Sequence, residues 1–116
     1  MVTVYGIPSC GTVKKALAAL SSAGVAHRFV DVRATPPSRA AIDRWVSAFG
    51  AAAMRNTSGG AYRALGAEKD AFTDAQWAAA FTADPMLVRR PVIERDGAPV
   101  AVGFRDPEAV LRALRG

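Results

Sequence analysis

The spacing of apolar positions divides the chain into short strands and amphipathic helices. Val2 to Tyr5 is a β-branched and aromatic run that stops at Gly6, which predicts a first strand. Gly6-Ile7-Pro8-Ser9-Cys10-Gly11 is turn chemistry. From Thr12 the period changes. Val13, Leu17 and Leu20 share one stripe at i, i+4 and i+7, Lys14 and Lys15 lie off it, and Gly24 supplies a stop. His27 to Val32 alternates through Phe29, Val30 and Val32 and predicts a second strand, ended by Arg33-Ala-Thr-Pro-Pro. Strand, helix and strand make a βαβ unit, whose crossover is nearly always right-handed.

The middle of the chain is helical in pattern. Ser38 caps a helix with Ala41, Ile42, Trp45, Val46 and Phe49 on one face and Gly50 at its end. A short piece from Ala51 to Met54 leads into the loop Arg55-Asn-Thr-Ser-Gly-Gly, and Tyr62 to Leu65 reads as one more turn. Thr73 and Gln76 form a capping box before Trp77 and Phe81 at i, i+4, and Asp84-Pro85 closes that helix. Pro91–Arg95 and Ala98–Val102 then flank Asp96-Gly97, a strong hairpin signal. Asp106, Pro107 and Glu108 open a last helix whose buried face is Val110, Leu111 and Leu114. The predicted class is α/β, a single domain. Its thioredoxin-like βαβ–ββα core covers 1–35 and 87–116, with a helical lobe inserted over 36–86.

At 116 residues, 51% apolar and 22% charged, the composition is that of one small globular domain, which excludes a wholly disordered chain. No apolar run reaches the roughly 20 residues of a membrane helix, and the start lacks a basic segment followed by an apolar one. The expected location is the cytoplasm. The net charge of +5 is spread along the chain with no long basic run, which argues against a nucleic-acid partner and fits a few arginines converging on a small anion. With one cysteine and one histidine, an internal disulfide and the common zinc constellations are excluded.

That cysteine, Cys10, stands between a strand's carboxyl end and a helix's amino end. Unpaired backbone N–H groups and the helix macrodipole both attract negative charge there. Gly11 lets the backbone approach a bound group, and the amides that follow can cradle an oxyanion. The competing reading is a buried structural cysteine, since free cysteines are among the most buried residues. His27 reads as a packing residue, and Trp45, Phe49, Trp77 and Phe81 as core; Tyr62 has no assigned role. Arg90 precedes Pro91 at the entry to the third strand, and Arg105 precedes the last helix. For both, the competing reading is a solvated surface cation.

Tyr5-Gly-Ile-Pro-Ser-Cys-Gly-Thr-Val-Lys-Lys-Ala16 resembles the nucleophile loop of the arsenate reductase (ArsC), Spx and YffB family. Leu87-Val-Arg-Arg-Pro-Val-Ile93 resembles its arginine–proline signature, and Leu65 to Gln76 its helical lobe; the likeness covers essentially the whole chain. It implies a thioredoxin-like fold with a helical insertion and a cis peptide before Pro91. In the arsenate reductases the cysteine attacks arsenate and three arginines hold the oxyanion. Glutathione attacks the adduct and glutaredoxin resolves the mixed disulfide.

Carried onto this chain, the resemblance makes Cys10 the nucleophile and Arg90 and Arg105 two of the arginines. Gly11, Thr12, Val13 and Pro91 join them as expected substrate-binding residues. The third arginine falls on Asn56, with Arg55 one place away. That is a departure, because an amide offers no bidentate charge-assisted bonds. Gly6-Ile7 also stands where arsenate reductases typically carry histidine and asparagine, and here the chain looks more like YffB. The Cys-x-x-Cys switch usual in Spx regulators is missing, since its second position is Val13.

The resemblance implies an arsenate reductase-like oxidoreductase with no bound cofactor or metal and with glutathione as co-substrate. Glutathione and glutaredoxin are the implied partners, an oxyanion or a glutathione mixed disulfide the substrate, and a monomer the expected state. The alternatives are a YffB-like glutathione-dependent thiol reductase without arsenate activity, and an Spx-like regulator that binds RNA polymerase.

Overall fold

Strand β1 (Val2–Gly6) leads through the Cys10 loop into helix α1 (Gly11–Ser22), which returns to strand β2 (His27–Asp31) in this computed structural model, where residues 1–115 are described. The helix ends because Gly24 adopts φ +72°, so the amides of Gly24 and Val25 reach back to the carbonyls of Ser21 and Leu20 at 3.1 and 2.9 Å. Helices α2 (Arg39–Phe49), α3 (Ala51–Met54), α4 (Gly60–Ala64) and α5 (Asp74–Ala83) follow. Strands β3 (Val92–Arg95) and β4 (Ala98–Val102) and helix α6 (Pro107–Arg115) complete the chain.

The chain divides into two compact units, one formed by residues 1–35 and the segment from Arg90 onward, the other by Pro36–Arg89. Leu87–Arg89 thus fall with the helices instead of opening the second half of the core at 87. Backbone hydrogen bonding explains this: Asn56 N–H donates to the Leu87 carbonyl at 2.8 Å, and Arg89 N–H to the Met54 carbonyl at 2.7 Å.

The first unit is built on a four-stranded sheet in the order β2-β1-β3-β4. β1 pairs parallel with β2 and antiparallel with β3, and β3 pairs antiparallel with β4. Val2, Val4 and Ile93 project from one face and form a core with Ala16 and Leu20 of α1, Phe104, and Val110 and Leu114 of α6. Leu111, read as part of the buried face of α6, is only half-buried. Asp96 at φ 52° and Gly97 at φ 81° make the tight hairpin turn, the left-handed pair that Asp-Gly tolerates best. The opposite sheet face carries Thr3, Tyr5 and Glu94. Glu94 is only 2% exposed, and its Oε1 accepts from the Tyr5 hydroxyl at 3.0 Å. Arg95 donates from Nη1 to the Leu114 carbonyl at 2.9 Å, placing a cation on the carbonyl end of α6.

The second unit packs α2 against α5. Ser38 caps α2, its Oγ accepting from Ala41 N–H at 3.1 Å, and the Thr73/Gln76 capping box opens α5 with bonds of 2.7 and 3.2 Å. Trp77 is the centre of a ring cluster. Tyr62 stacks on it at 6.1 Å, Phe81 lies 5.6 Å away, Phe72 meets its edge at 5.1 Å, and the Arg55 guanidinium lies over it at 5.1 Å. Lys69 in turn covers Tyr62 at 4.9 Å. A 3₁₀ turn, Ala67–Ala71, carries that lysine and has no periodic signature in the sequence.

Three outcomes are expected. A Cβ on Gly6 would lie 2.6 Å from a methyl of Val13, a side chain with no solvent exposure. Gly6→Ala is therefore expected to cost about 1–3 kcal/mol by overpacking. In a double-mutant cycle by urea unfolding, Val13→Ala relieves part of that loss. Arg95→Ala is expected to lower stability by about 1–2 kcal/mol, read from the same curves. The third concerns Asp96, whose Oδ1 is 2.5 Å from the amino terminus. The hydrogen bond and charge of that ammonium hold its carboxyl below its ordinary value of 3.8. A carboxylate favoured by folding stabilises above the unfolded value and loses that contribution as the pH falls through the folded one. Asp96→Asn, which also tolerates positive φ, is expected to be less stable than wild type at neutral pH, with the gap closing below pH 3.8.

Candidate active site

Cys10 ends a loop whose first residue, Ile7, is buried, while Pro8 and Ser9 are exposed. The Cys10 N–H donates to the Ile7 carbonyl at 3.2 Å and closes the turn. Its carbonyl accepts from Lys14 N–H at 3.0 Å, the first bond of α1, so Cys10 is the N-cap residue with φ −78° and ψ 122°. Serine, threonine, asparagine or aspartate at that position would use the side chain to bond an amide of the first turn. The Cys10 side chain makes no such bond. Cys10 is half-buried, at the head of a helix whose first turn contains no acidic residue. The Gly11, Thr12 and Val13 amides have no acceptor within the helix. A negative charge at this end of the helix is favoured by those donors and by the positive end of the dipole.

Two further strand ends arrive at the same place. Pairing of Tyr5 with Val92 and of Val92 with Val102 aligns the exit of β1, the entry of β3 and the exit of β4 at one end of the sheet. Arg90 and Pro91 precede β3, joined by a cis peptide. The Pro91 carbonyl accepts from Gly103 N–H at 2.8 Å, which ties the β3 entry to the β4 exit. Phe104 is buried in the core, and Arg105 follows it, exposed, ahead of the Asp106 cap of α6. Cys10, Gly11, Thr12, Val13, Arg90, Pro91 and Arg105 thus belong to one unit and to one end of its sheet. Arg90 is half-buried. Val13 is wholly buried, so its side chain does not reach a ligand and belongs to the core.

Asn56 belongs to the helical unit. Its side chain is occupied within its own loop: Nδ2 donates to the Met86 carbonyl at 3.4 Å, and Oδ1 accepts from the Ser58 hydroxyl at 3.1 Å. Arg55 is stacked on Trp77. Among the described residues no three of histidine, cysteine, aspartate and glutamate gather as a metal-holding group, and no helix is long and apolar enough to cross a membrane.

The sequence reading did not single out Glu94, the buried acid beside Tyr5. The available signal was the pairing of Thr3 and Tyr5, both polar-tipped, on one face of β1, which a strand partner on that face is bound to answer. It also left Tyr62 without a role, though an aromatic side chain within a loop that leads to Trp77 is a candidate for stacking.

A family model described as ArsC family matches residues 5–113. A protein of Haemophilus influenzae described only as uncharacterized is 32% identical over 109 residues, covering 93% of this chain and 95% of its own. An arsenate reductase of Rhizobium meliloti is 30% identical over 112 residues, 95% of this chain and 78% of that protein. Among solved structures, the protein named YFFB is similar with a TM-score of 0.88 at 33% identity, over 98% of this chain and 99% of its own. The arsenate reductase from Vibrio cholerae is similar with a TM-score of 0.83 at 28% identity, over 97% of each. Since the family model spans the cysteine loop, both arginine positions and the helical insertion, the chain belongs to the ArsC family and has its thioredoxin-like fold.

Proposed function

We propose that the chain is a single-cysteine thiol oxidoreductase that uses glutathione as co-substrate, with Cys10 Sγ as nucleophile. The observation that carries this reading is the state of Cys10 at the head of α1: an N-cap whose side chain is not spent on capping. Arg90 and Arg105 supply the cations that offset negative charge on the substrate.

Two substrates suit this site. With a glutathione mixed disulfide, the Cys10 thiolate bonds to one sulfur and the other leaves as a thiolate, which takes a proton from water. With arsenate, Sγ bonds to arsenic and a hydroxyl leaves as water. An external thiol then attacks Sγ, and arsenic departs as arsenite with the bonding pair. Both routes leave Cys10 in a mixed disulfide. The chain has no second cysteine, so another external thiol, free or on a glutaredoxin, must release it. With arsenate two external thiols are oxidised to one disulfide; with a mixed disulfide one external thiol takes over the half held by Cys10, so one disulfide is exchanged for another and the substrate's thiol is released. The disulfide reading is favoured by Asn56, whose amide is uncharged and internally bonded where a third guanidinium would serve an oxyanion.

The test is a coupled assay with glutathione, glutaredoxin and NADPH, run with arsenate and with a glutathione mixed disulfide. The disulfide is expected to be turned over faster than arsenate, and Cys10→Ser to fall to the uncatalysed rate with both. An unchanged rate in Cys10→Ser removes the cysteine from the chemistry. Arsenate turnover at or above the disulfide rate reverses the order of substrates.

A further inference from the structure

The two edges of the sheet are treated differently. The order β2-β1-β3-β4 leaves β2 and β4 with one unpaired side each. An open strand edge is a template for a further strand, and proteins commonly blunt it with proline, a bulge or charge. β4 carries two such devices: Pro99, which has no N–H to donate, and a shift of register where it faces Ile93 and Glu94. β2 reads His-Arg-Phe-Val-Asp and has neither a proline nor a break in its register with β1.

The ladder shows which groups β2 leaves outward. Val32 N–H donates to the Gly6 carbonyl at 2.9 Å, while Gly6 is aligned with Asp31. Bonding residues alternate along a strand, so Arg28 and Val30 bond β1, and His27, Phe29 and Asp31 turn their backbone groups away from it. The Asp31 carbonyl is taken by Thr35 N–H at 2.8 Å. The N–H and carbonyl of Phe29, the His27 carbonyl and the Asp31 N–H bond no other backbone group among the described residues. This set is complementary to itself. When a second β2 runs antiparallel with Phe29 opposite Phe29, the two phenylalanines exchange their N–H···O=C bonds. The Asp31 N–H of each copy then meets the His27 carbonyl of the other. The side chains agree with that register, since residues directly opposite share a face. The half-buried Phe29 rings meet, and Asp31 comes across from His27 of the second copy. Asp31 Oδ1 accepts from Arg33 and Ala34 N–H, which leaves Oδ2, and His27 Nδ1 is bonded to the Val25 carbonyl at 2.8 Å, which leaves Nε2. A carboxylate and an imidazole therefore pair at both ends of the seam. Arg28 comes opposite Val30, so no like charges face each other directly.

We infer that β2 is a self-pairing edge, through which two copies of this chain join about a two-fold axis into one continuous sheet. The occupant of the edge is a second copy because the outward backbone groups, the aromatic ring and the charges of β2 all match their own reverse. Since β4 is blunted, the assembly closes at two copies. This dimer stands in place of the monomer that the family resemblance implies, and it is independent of the thiol reading.

The test is a dilution series of the full chain from micromolar to millimolar, kept reduced so that Cys10 forms no disulfide, read by light scattering and by backbone amide NMR. The mass is expected to rise towards twice that of one chain. The Phe29 and Asp31 amides are expected to shift and to exchange more slowly with solvent as it does. Arg28 and Val30, already bonded to β1, change less. His27→Asp sets an acid opposite Asp31 at both ends of the seam. It is expected to weaken association at least about tenfold relative to His27→Arg, which keeps opposite charges there. Both variants lose the same bond to Val25, so the difference between them reports the pairing, and thermal unfolding checks that each is folded. A single-chain mass at every concentration, association whose amide changes lie away from β2, or equal association of the two variants overturns the self-pairing edge.

Discussion

The junction of β1 with α1 depends on the contact between Gly6 and Val13. The strand end and the first helical turn press together so closely that a single methylene on Gly6 would strike the Val13 methyls. Because both residues are buried and valine is stiff at χ1, the junction has little freedom to relax. That contact seats the helix amino end directly after the strand. The intervening Ile7–Cys10 turn then hands the Cys10 carbonyl to Lys14 and leaves the sulfur free of backbone duty. The chemistry proposed for Cys10 follows from a steric constraint between residues that flank it within a few positions on either side.

The remaining parts of the site are delivered by strand register. Antiparallel pairing brings the start of β3 and the end of β4 to where β1 stops, and the hydrogen bond from Gly103 to Pro91 joins them. A short sheet therefore gathers residues from distant parts of the chain around one helix end. The same economy governs the charges. Arg95 holds the carbonyl end of α6, and Tyr5 answers the buried Glu94 carboxyl.

The helical unit uses a different principle. Its long connection between α3 and α5 is held through side chains, with Trp77 receiving Tyr62, Phe72 and the Arg55 guanidinium. Asn56, next to Arg55, is bonded to Met86 and Ser58 and has little left to offer a ligand. At that position the side chain serves the loop's own structure and carries no charge.

Helix and strand positions were legible in the sequence because they rest on local rules. Ser38, the Thr73/Gln76 box, Gly24 and Asp96-Gly97 carry out the caps and turns their side chains or backbone freedom dictate, and the apolar periods of α1, α2 and α6 mark the inward faces, although Leu17, Val46, Phe49 and Leu111 at their margins are only half-buried. The cysteine at a strand-to-helix turn was equally legible, since its place depends only on its neighbours. Other features involve partners far apart in sequence: the burial of Glu94 beside Tyr5, the stack on Trp77, the pairing of 54–56 with 87–89, and the occupied amide of Asn56. No periodicity encodes such contacts, because they arise only when packing brings the surfaces together, and there a polar or aromatic group takes its role from whichever partner the fold supplies.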